Sequence, residues 1–180
     1  MNPVSEAVAA LDGLAVRLQA LEAERGVRAT LYRYGRALDY GAEDDWVDCF
    51  AARAHYEVRQ RGGKVAAGAG TSGTETAAVR SYDGRDELAA FAARHTRAPE
   101  RFHKHLVADP VIAVDGDRAT AVSYFVRLDD IDGEPAVYAF GRYRDQLVRC
   151  ADGRWRFTVR IAEVESRVAR RAPRRGEPGA

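Results

Sequence analysis

Cysteine is scarce: Cys49 and Cys150 are the only two among 180 residues. They are too few and too widely spaced for a disulfide framework or a zinc ligand set, so both are read as reduced thiols used as small hydrophobes. Cys49 sits between Asp48 and Phe50 in amphipathic helix, where acidic neighbours raise a thiol's pKa and disfavour the nucleophilic thiolate. An excess of one charge is also lacking. The 28 Lys and Arg balance 27 Asp and Glu to a net of +1, which removes the overall field that gathers nucleic acid or an acidic membrane. Partners are therefore expected to be small molecules or other subunits. No apolar run approaches the length of a membrane span, and the N-terminus lacks the charged start, apolar middle and cleavage site of a signal peptide. A cytoplasmic location is expected. The Gly-rich run from Gly62 to Gly73 has no Lys-Ser/Thr ending and no helix directly after it, which excludes a phosphate loop.

What is present suits one domain with a single core. Val4, Ala7, Leu11, Leu14, Leu18 and Leu21 recur at steps of three and four, one stripe of an amphipathic helix over residues 1–25. Gly13 and the shortness of the stripe argue against a free-standing coiled coil, so packing on the domain itself or on a sister subunit, in a dimer or trimer, is expected. After Arg25-Gly26 a second helix, roughly Val27 to Tyr40, places Val27, Leu31, Tyr34 and Leu38 on one face and stops at Gly41, a suitable C-cap. A short helix from about Glu43 to Ala51 turns Trp46, Val47 and Phe50 inward, and a brief strand follows from Ala54 to Arg59. From Gln60 to Ser81 there is no apolar period, which predicts a mobile loop long enough to be a lid.

Asp83 and Gly84 open another helix through His95, anchored by Leu88 and Phe91. Strands are predicted at Arg101 to Ala108, Val111 to Val114, Ala119 to Leu128, Ala136 to Cys150 and Arg154 to Arg167. Their joints at Asp115-Gly116, Asp132-Gly133 and Asp152-Gly153 supply the positive φ of tight hairpins, so the strands should run antiparallel. Helices first and a meander afterwards make an α+β fold. Residues 168–180, rich in Arg, Pro and Gly, predict a disordered basic tail.

Two segments carry chemistry. Asp39 lies in the last turn of the second helix, where a carboxylate opposes the helix dipole and invites another reason for being there. His103 and His105 share one face of a strand, because side chains alternate with period two. An imidazole titrates near neutral pH, and a carboxylate on one of its nitrogens fixes the tautomer and steadies the imidazolium. His103 is expected at the pocket mouth or assisting His105. An His-x-His pair on a strand also suits a metal, but the further donors at hand, His95, His55 and Asp109, lie in no recognised ligand spacing, so no metal is expected. Tyr34, Tyr124 and Tyr143 are candidate phenol donors to a substrate oxygen, while Arg127 and Arg142 are candidate clamps for a carboxylate or phenolate. Trp46 and Trp155 are read as core, and the Asp44, Asp45 and Asp48 cluster as a hydrated helix face.

Helix, Tyr34, Asp39, Trp46 and Phe50, then His105 before Pro110-Val111-Ile112-Ala113-Val114-Asp115-Gly116-Asp117, and Gly141-Arg142-Tyr143 before Trp155, form an ordered set. From about Arg28 to Arg167 the chain resembles the SnoaL-like branch of the nuclear-transport-factor-two (NTF2) superfamily, in particular the subgroup with scytalone dehydratase and hexachlorocyclohexane dehydrochlorinase. That resemblance implies a cone-shaped α+β barrel over residues 26–167, a curved antiparallel sheet wrapped around N-terminal helices with a pocket inside. It implies further that Asp39 and His105 form the base of a cofactor-independent lyase, isomerase or cyclase of dehydratase type acting on a cyclic or aromatic small molecule. Scytalone dehydratase has a second pocket His where this chain reads Tyr124, and a Tyr where it reads Leu38. The same superfamily includes non-catalytic cones and the small subunit of ring-hydroxylating dioxygenases, the alternative reading.

Overall fold

Asn2 opens the first helix, its side chain accepting from the Val4 amide at 3.1 Å with Pro3 in the first turn, as capping chemistry favours. The computed structural model describes residues 2–61, 76–95 and 97–166; the Gly-rich stretch 62–75 and the tail from 167 onward lie outside them. Helix α1 (Pro3–Tyr40) is continuous through Gly26 and ends at Gly41 in the left-handed conformation, φ 70°. The expected break at Arg25-Gly26 is absent. A Cβ on Gly26 would stand 2.6 Å from Cδ1 of Trp155, so this glycine marks a ring pressed on the helix axis, not a helix end. From residue 2 to 22 every position of α1 is exposed, and burial begins at Ala23.

Helix α2 (Glu43–Val47) is shorter than expected, and β1 (Phe50–Arg61) starts earlier. Part of the predicted loop is instead strand β2 (Thr76–Asp83), which pairs antiparallel with β1. Helix α3 (Gly84–Arg94) follows, then β3 (His103–Asp115), β4 (Arg118–Ile131), β5 (Glu134–Arg149) and β6 (Trp155–Val164). The strand expected to break at Asp109-Pro110 runs on. β3 is an edge strand, where a proline's missing N–H is tolerated, and Asp109 absorbs the irregularity at φ 46° as the pairing shifts between Ala108 and Val111.

The six strands order as β2-β1-β6-β5-β4-β3, an unclosed sheet with β2 and β3 at its edges. The Asp-Gly turns do join antiparallel neighbours, but β1 and β6 pair parallel. These two are not joined by a hairpin; four intervening strands and a helix bring the chain back, and such long crossovers permit parallel pairing. The architecture is a helix-lined, curved α+β cone.

Val27, Leu31, Tyr34 and Leu38, at steps of four, three and four, are 0–4 % exposed, each such burial being worth about 1.5–3 kcal/mol for an aliphatic side chain. Tyr34 is the hub, its ring within 6.3 Å of Trp46, Phe50, Tyr56, Tyr143 and Phe157 by centroid. Arg160 lies wholly buried beneath it, 4.0 Å from the Tyr34 ring and 3.7 Å from that of Tyr143, with Asp145 as counter-ion at 3.2 Å. Asp48 is no hydrated carboxylate: Arg33, Arg154 and Arg156 bond it at 3.2, 2.9 and 2.7 Å, tying α1 and β6 to the end of α2. Cys49 is buried, and burial pushes its thiol up to about 11, which leaves it inert. Among the described residues no helix is long and apolar enough to cross a membrane.

Candidate active site

Gly35 and Asp39 stand four residues apart on α1, one above the other on the same face. A Cβ on Gly35 would lie 2.7 Å from the backbone carbonyl oxygen of His105, so helix and β3 can approach this closely only at a glycine. One turn on, the Asp39 carboxylate reaches the strand. Its Oδ2 accepts from the backbone N–H of His105 at 2.9 Å, and its Oδ1 lies 2.6 Å from His105 Nδ1. Asp39 is 4 % exposed.

Burial alone would raise the Asp39 carboxyl, but the hydrogen bonds and charge of His105 outweigh it and hold the group below its ordinary range. Asp39 is therefore a carboxylate at neutral pH. Because an ionised carboxylate only accepts, Nδ1 carries a ring proton, and in the neutral ring Nε2 is left with the lone pair. The two-point grip on one residue fixes both tautomer and ring orientation. His105 lines a cavity of about 240 Å³, together with Tyr34, Tyr143, Leu38 and Phe125.

Of the expected phenols, Tyr34 and Tyr143 line this cavity. Burial raises both, so each stays a neutral donor. Tyr34 donates its O–H to Tyr56 at 3.2 Å, a third lining phenol that no signal in the sequence singles out. Tyr124 does not join them: it is 59 % exposed, and β4 alternates so that Ser123 and Phe125 face inward. Arg142 is likewise corrected. Flanked by inward Gly141 and Tyr143 on β5, it points to the opposite face and pairs with Glu163, and with Glu165 at 3.5 Å.

His103 is not at the mouth. Its side chain is fully buried behind the cavity, with Nε2 3.5 Å from Asp39 Oδ1 and neither ring nitrogen hydrogen-bonded among the described residues. The separation would suit an ion pair, yet burial and then the charge of Arg127 lower its pKa to about 4, so it is neutral and the contact is not an ion pair near pH 7. His95, which follows the last turn of α3, completes a cluster with ring centroids 5.2 Å from His103 and 6.0 Å from His105. It lines the cavity, and burial followed by the neighbouring histidines lowers its pKa to about 3. The sequence offered it only as a possible metal ligand. The third metal donor lies elsewhere: Asp39, His103 and His105 each bring one ligand atom within 4.8 Å of the others. A catalytic zinc takes three protein ligands, but here an ion would have to part the 2.6 Å Asp39–His105 contact.

No curated protein matches the sequence significantly. Solved structures share the fold. A protein of unknown function from Mycobacterium tuberculosis is 24 % identical with a TM-score of 0.66, over 86 % of this chain and 78 % of that one. The beta subunit of a putative aromatic-ring-hydroxylating dioxygenase from Novosphingobium aromaticivorans is 24 % identical at 0.66, over 82 % and 92 %. An NTF2-like protein with a cystatin-like fold from the same organism is also 24 % identical at 0.66, over 86 % and 89 %. Residues 19–161 match the family model described as a SnoaL-like domain, and the chain belongs to that family.

Proposed function

We propose that the protein is a cofactor-independent lyase or isomerase in which His105, held by Asp39, removes a proton from a cyclic or aromatic small molecule in the cone. The supporting observation is the double contact of one carboxylate with the amide and ring of one histidine at the cavity wall. Nε2 of His105 takes the proton. The electron pair left on carbon forms a double bond as a leaving group departs, or shifts to an oxygen that Tyr143, or Tyr34 on turning its O–H away from Tyr56, meets with an O–H. Elimination of dehydratase type is preferred, with isomerisation and cyclisation sharing the first step.

Turnover of a candidate substrate by His105→Ala and Asp39→Asn tests this. Each should lose activity while thermal unfolding stays cooperative, and full activity in either folded variant removes the proposal.

A second reading is a non-catalytic cone that serves as the small subunit of a ring-hydroxylating dioxygenase; its support is the fold shared with such a beta subunit. Co-purification with a larger iron-sulfur subunit would favour it. On either reading we take the protein to be cytoplasmic and self-associating, as dimer or trimer, through the arm of residues 1–25. There Val4, Leu11, Leu14, Leu18 and Leu21 are 57–66 % exposed, an apolar stripe that requires cover.

A further inference from the structure

The cavity wall carries charge that the dyad does not use. Arg127 is the direct cross-strand partner of His105 in the β3–β4 ladder, so the two side chains project from neighbouring positions on one face, with Cβ atoms about 5 Å apart by the geometry of such pairs. Both line the cavity. Asp129, itself fully buried, grips Arg127 along one edge, Oδ1 to Nε at 2.6 Å and Oδ2 to Nη2 at 3.0 Å. The Tyr138 ring covers the guanidinium at 4.5 Å. A guanidinium offers five donors in a fixed plane. With Nε and one Nη2 hydrogen engaged, its other edge, led by Nη1, is left for a ligand in a direction already set.

Arg80, opposite on β2, is the second cation of the wall, and it is exposed with no ion pair among the described residues. Among those residues the lining includes no Asp or Glu. The rest of the wall is largely apolar and aromatic, including Phe91, Phe125 and Val164. A wall with two guanidiniums and no carboxylate of its own disfavours cations and is completed by an anion; apolar rings beside it call for a flat hydrophobic body.

From this geometry we infer that the cavity takes a small aromatic or cyclic carboxylic acid, its carboxylate held by Arg127 with Arg80 and its ring laid against Phe91 and Phe125. The inference deepens the proposed function by naming its substrate class, but the binding it describes does not require His105 to be a base. The placement sets the anion one cross-strand step from Nε2 of His105. It also assigns Arg127 to binding, the role the sequence offered equally to Arg142.

The test is calorimetric titration of the full-length protein with 1-naphthoate and with 1-naphthamide, the same ring without the charge. The acid should bind at least tenfold tighter than the amide. Arg80→Gln, an exposed change, should narrow that ratio severalfold. Arg127→Gln paired with Asp129→Asn, which leaves no buried carboxylate stranded, should abolish it, while Arg127→Lys should keep part of it. Asp39→Asn and His105→Ala should retain the ratio even where turnover is lost, so a failed base and a failed anion site give different results. Equal affinity for acid and amide in the unmodified protein, or a ratio indifferent to Arg80 and Arg127, overturns the inference.

Discussion

Replacing Asp39 by Asn changes one oxygen to an NH2 and removes one charge, and the consequence follows from which donors can move. Asp39 accepts from a backbone N–H at 2.9 Å and from a ring nitrogen at 2.6 Å. The backbone donor is fixed, so the Asn carbonyl must face it, which aims the NH2 at Nδ1. Two donors cannot face each other; the imidazole therefore surrenders its Nδ1 proton and carries it on Nε2 instead. The nitrogen facing the cavity then has no lone pair and cannot act as a base. The same substitution in a Ser-His-Asp triad lowers turnover about 10⁴-fold by this tautomer change, and about 10³–10⁴-fold, or 4–5.5 kcal/mol of barrier, is expected here. Stability should fall less, by about 1–3 kcal/mol, since both charge-assisted bonds become neutral and none is orphaned. Long-range ¹H–¹⁵N correlation spectra read the tautomer without any substrate: the protonated nitrogen of His105 should switch from Nδ1 to Nε2. An unchanged tautomer in a folded Asp39→Asn protein refutes the reasoning.

Acid should destabilise the protein well above the carboxylate range. His95 and His103 are held near 3 and 4 against about 6.5 unfolded, so the unfolded chain binds more protons and stability falls as pH drops from about 6.5 towards 3, at about 1.4 kcal/mol per proton per unit. Urea melts at pH 7.5 and 5 should differ by more than 1 kcal/mol, and equal midpoints would contradict the assigned environments. Gly35→Ala should push α1 off β3, since its Cβ would meet the His105 carbonyl at 2.7 Å; the backbone amide of His105 should then exchange faster with solvent. Paired changes Leu11→Asp and Leu18→Asp should leave a monomer in sedimentation runs if the proposed self-association runs through the N-terminal arm, with the melting of the cone intact. Dialysis against a chelator should leave turnover unchanged, and a loss restored by zinc would reassign Asp39, His103 and His105 to a metal.

Much of the fold was legible because its signals are local. The Asp-Gly dipeptides fixed three hairpins through positive φ, and the spacing of Val27, Leu31, Tyr34 and Leu38 named the buried face of α1. Pairing of Asp39 with His105, 66 positions away, came from resemblance; no local pattern records it. What failed locally was overridden by tertiary contact. Gly26 looked like a terminator, and only the Trp155 ring explains it; Pro110 looked like a strand end, and only the edge position of β3 makes it harmless. Tyr124 and Arg142 were lost to a one-residue question of phase, since alternation sends each neighbour to the opposite face.

The three clustered histidines show why residue type alone could not pick the proposed base. His95, His103 and His105 stand within 6.0 Å of one another by ring centroid, and the charge of Arg127 helps to lower the first two. Protonating any one raises the cost for the others. What separates them is the acceptor each ring nitrogen meets. The nitrogens of His103, and Nε2 of His95, meet no hydrogen-bond partner among the described residues, so a proton there would bring charge without compensation. Of the three, His105 alone has a carboxylate at 2.6 Å on a ring nitrogen, Nδ1. A proton arriving at its other nitrogen is therefore balanced at once by Asp39, while its two neighbours remain neutral and do not compete for that carboxylate. Stripping His95 and His103 of their basicity thus reserves the Asp39 charge for the imidazole proposed as the base.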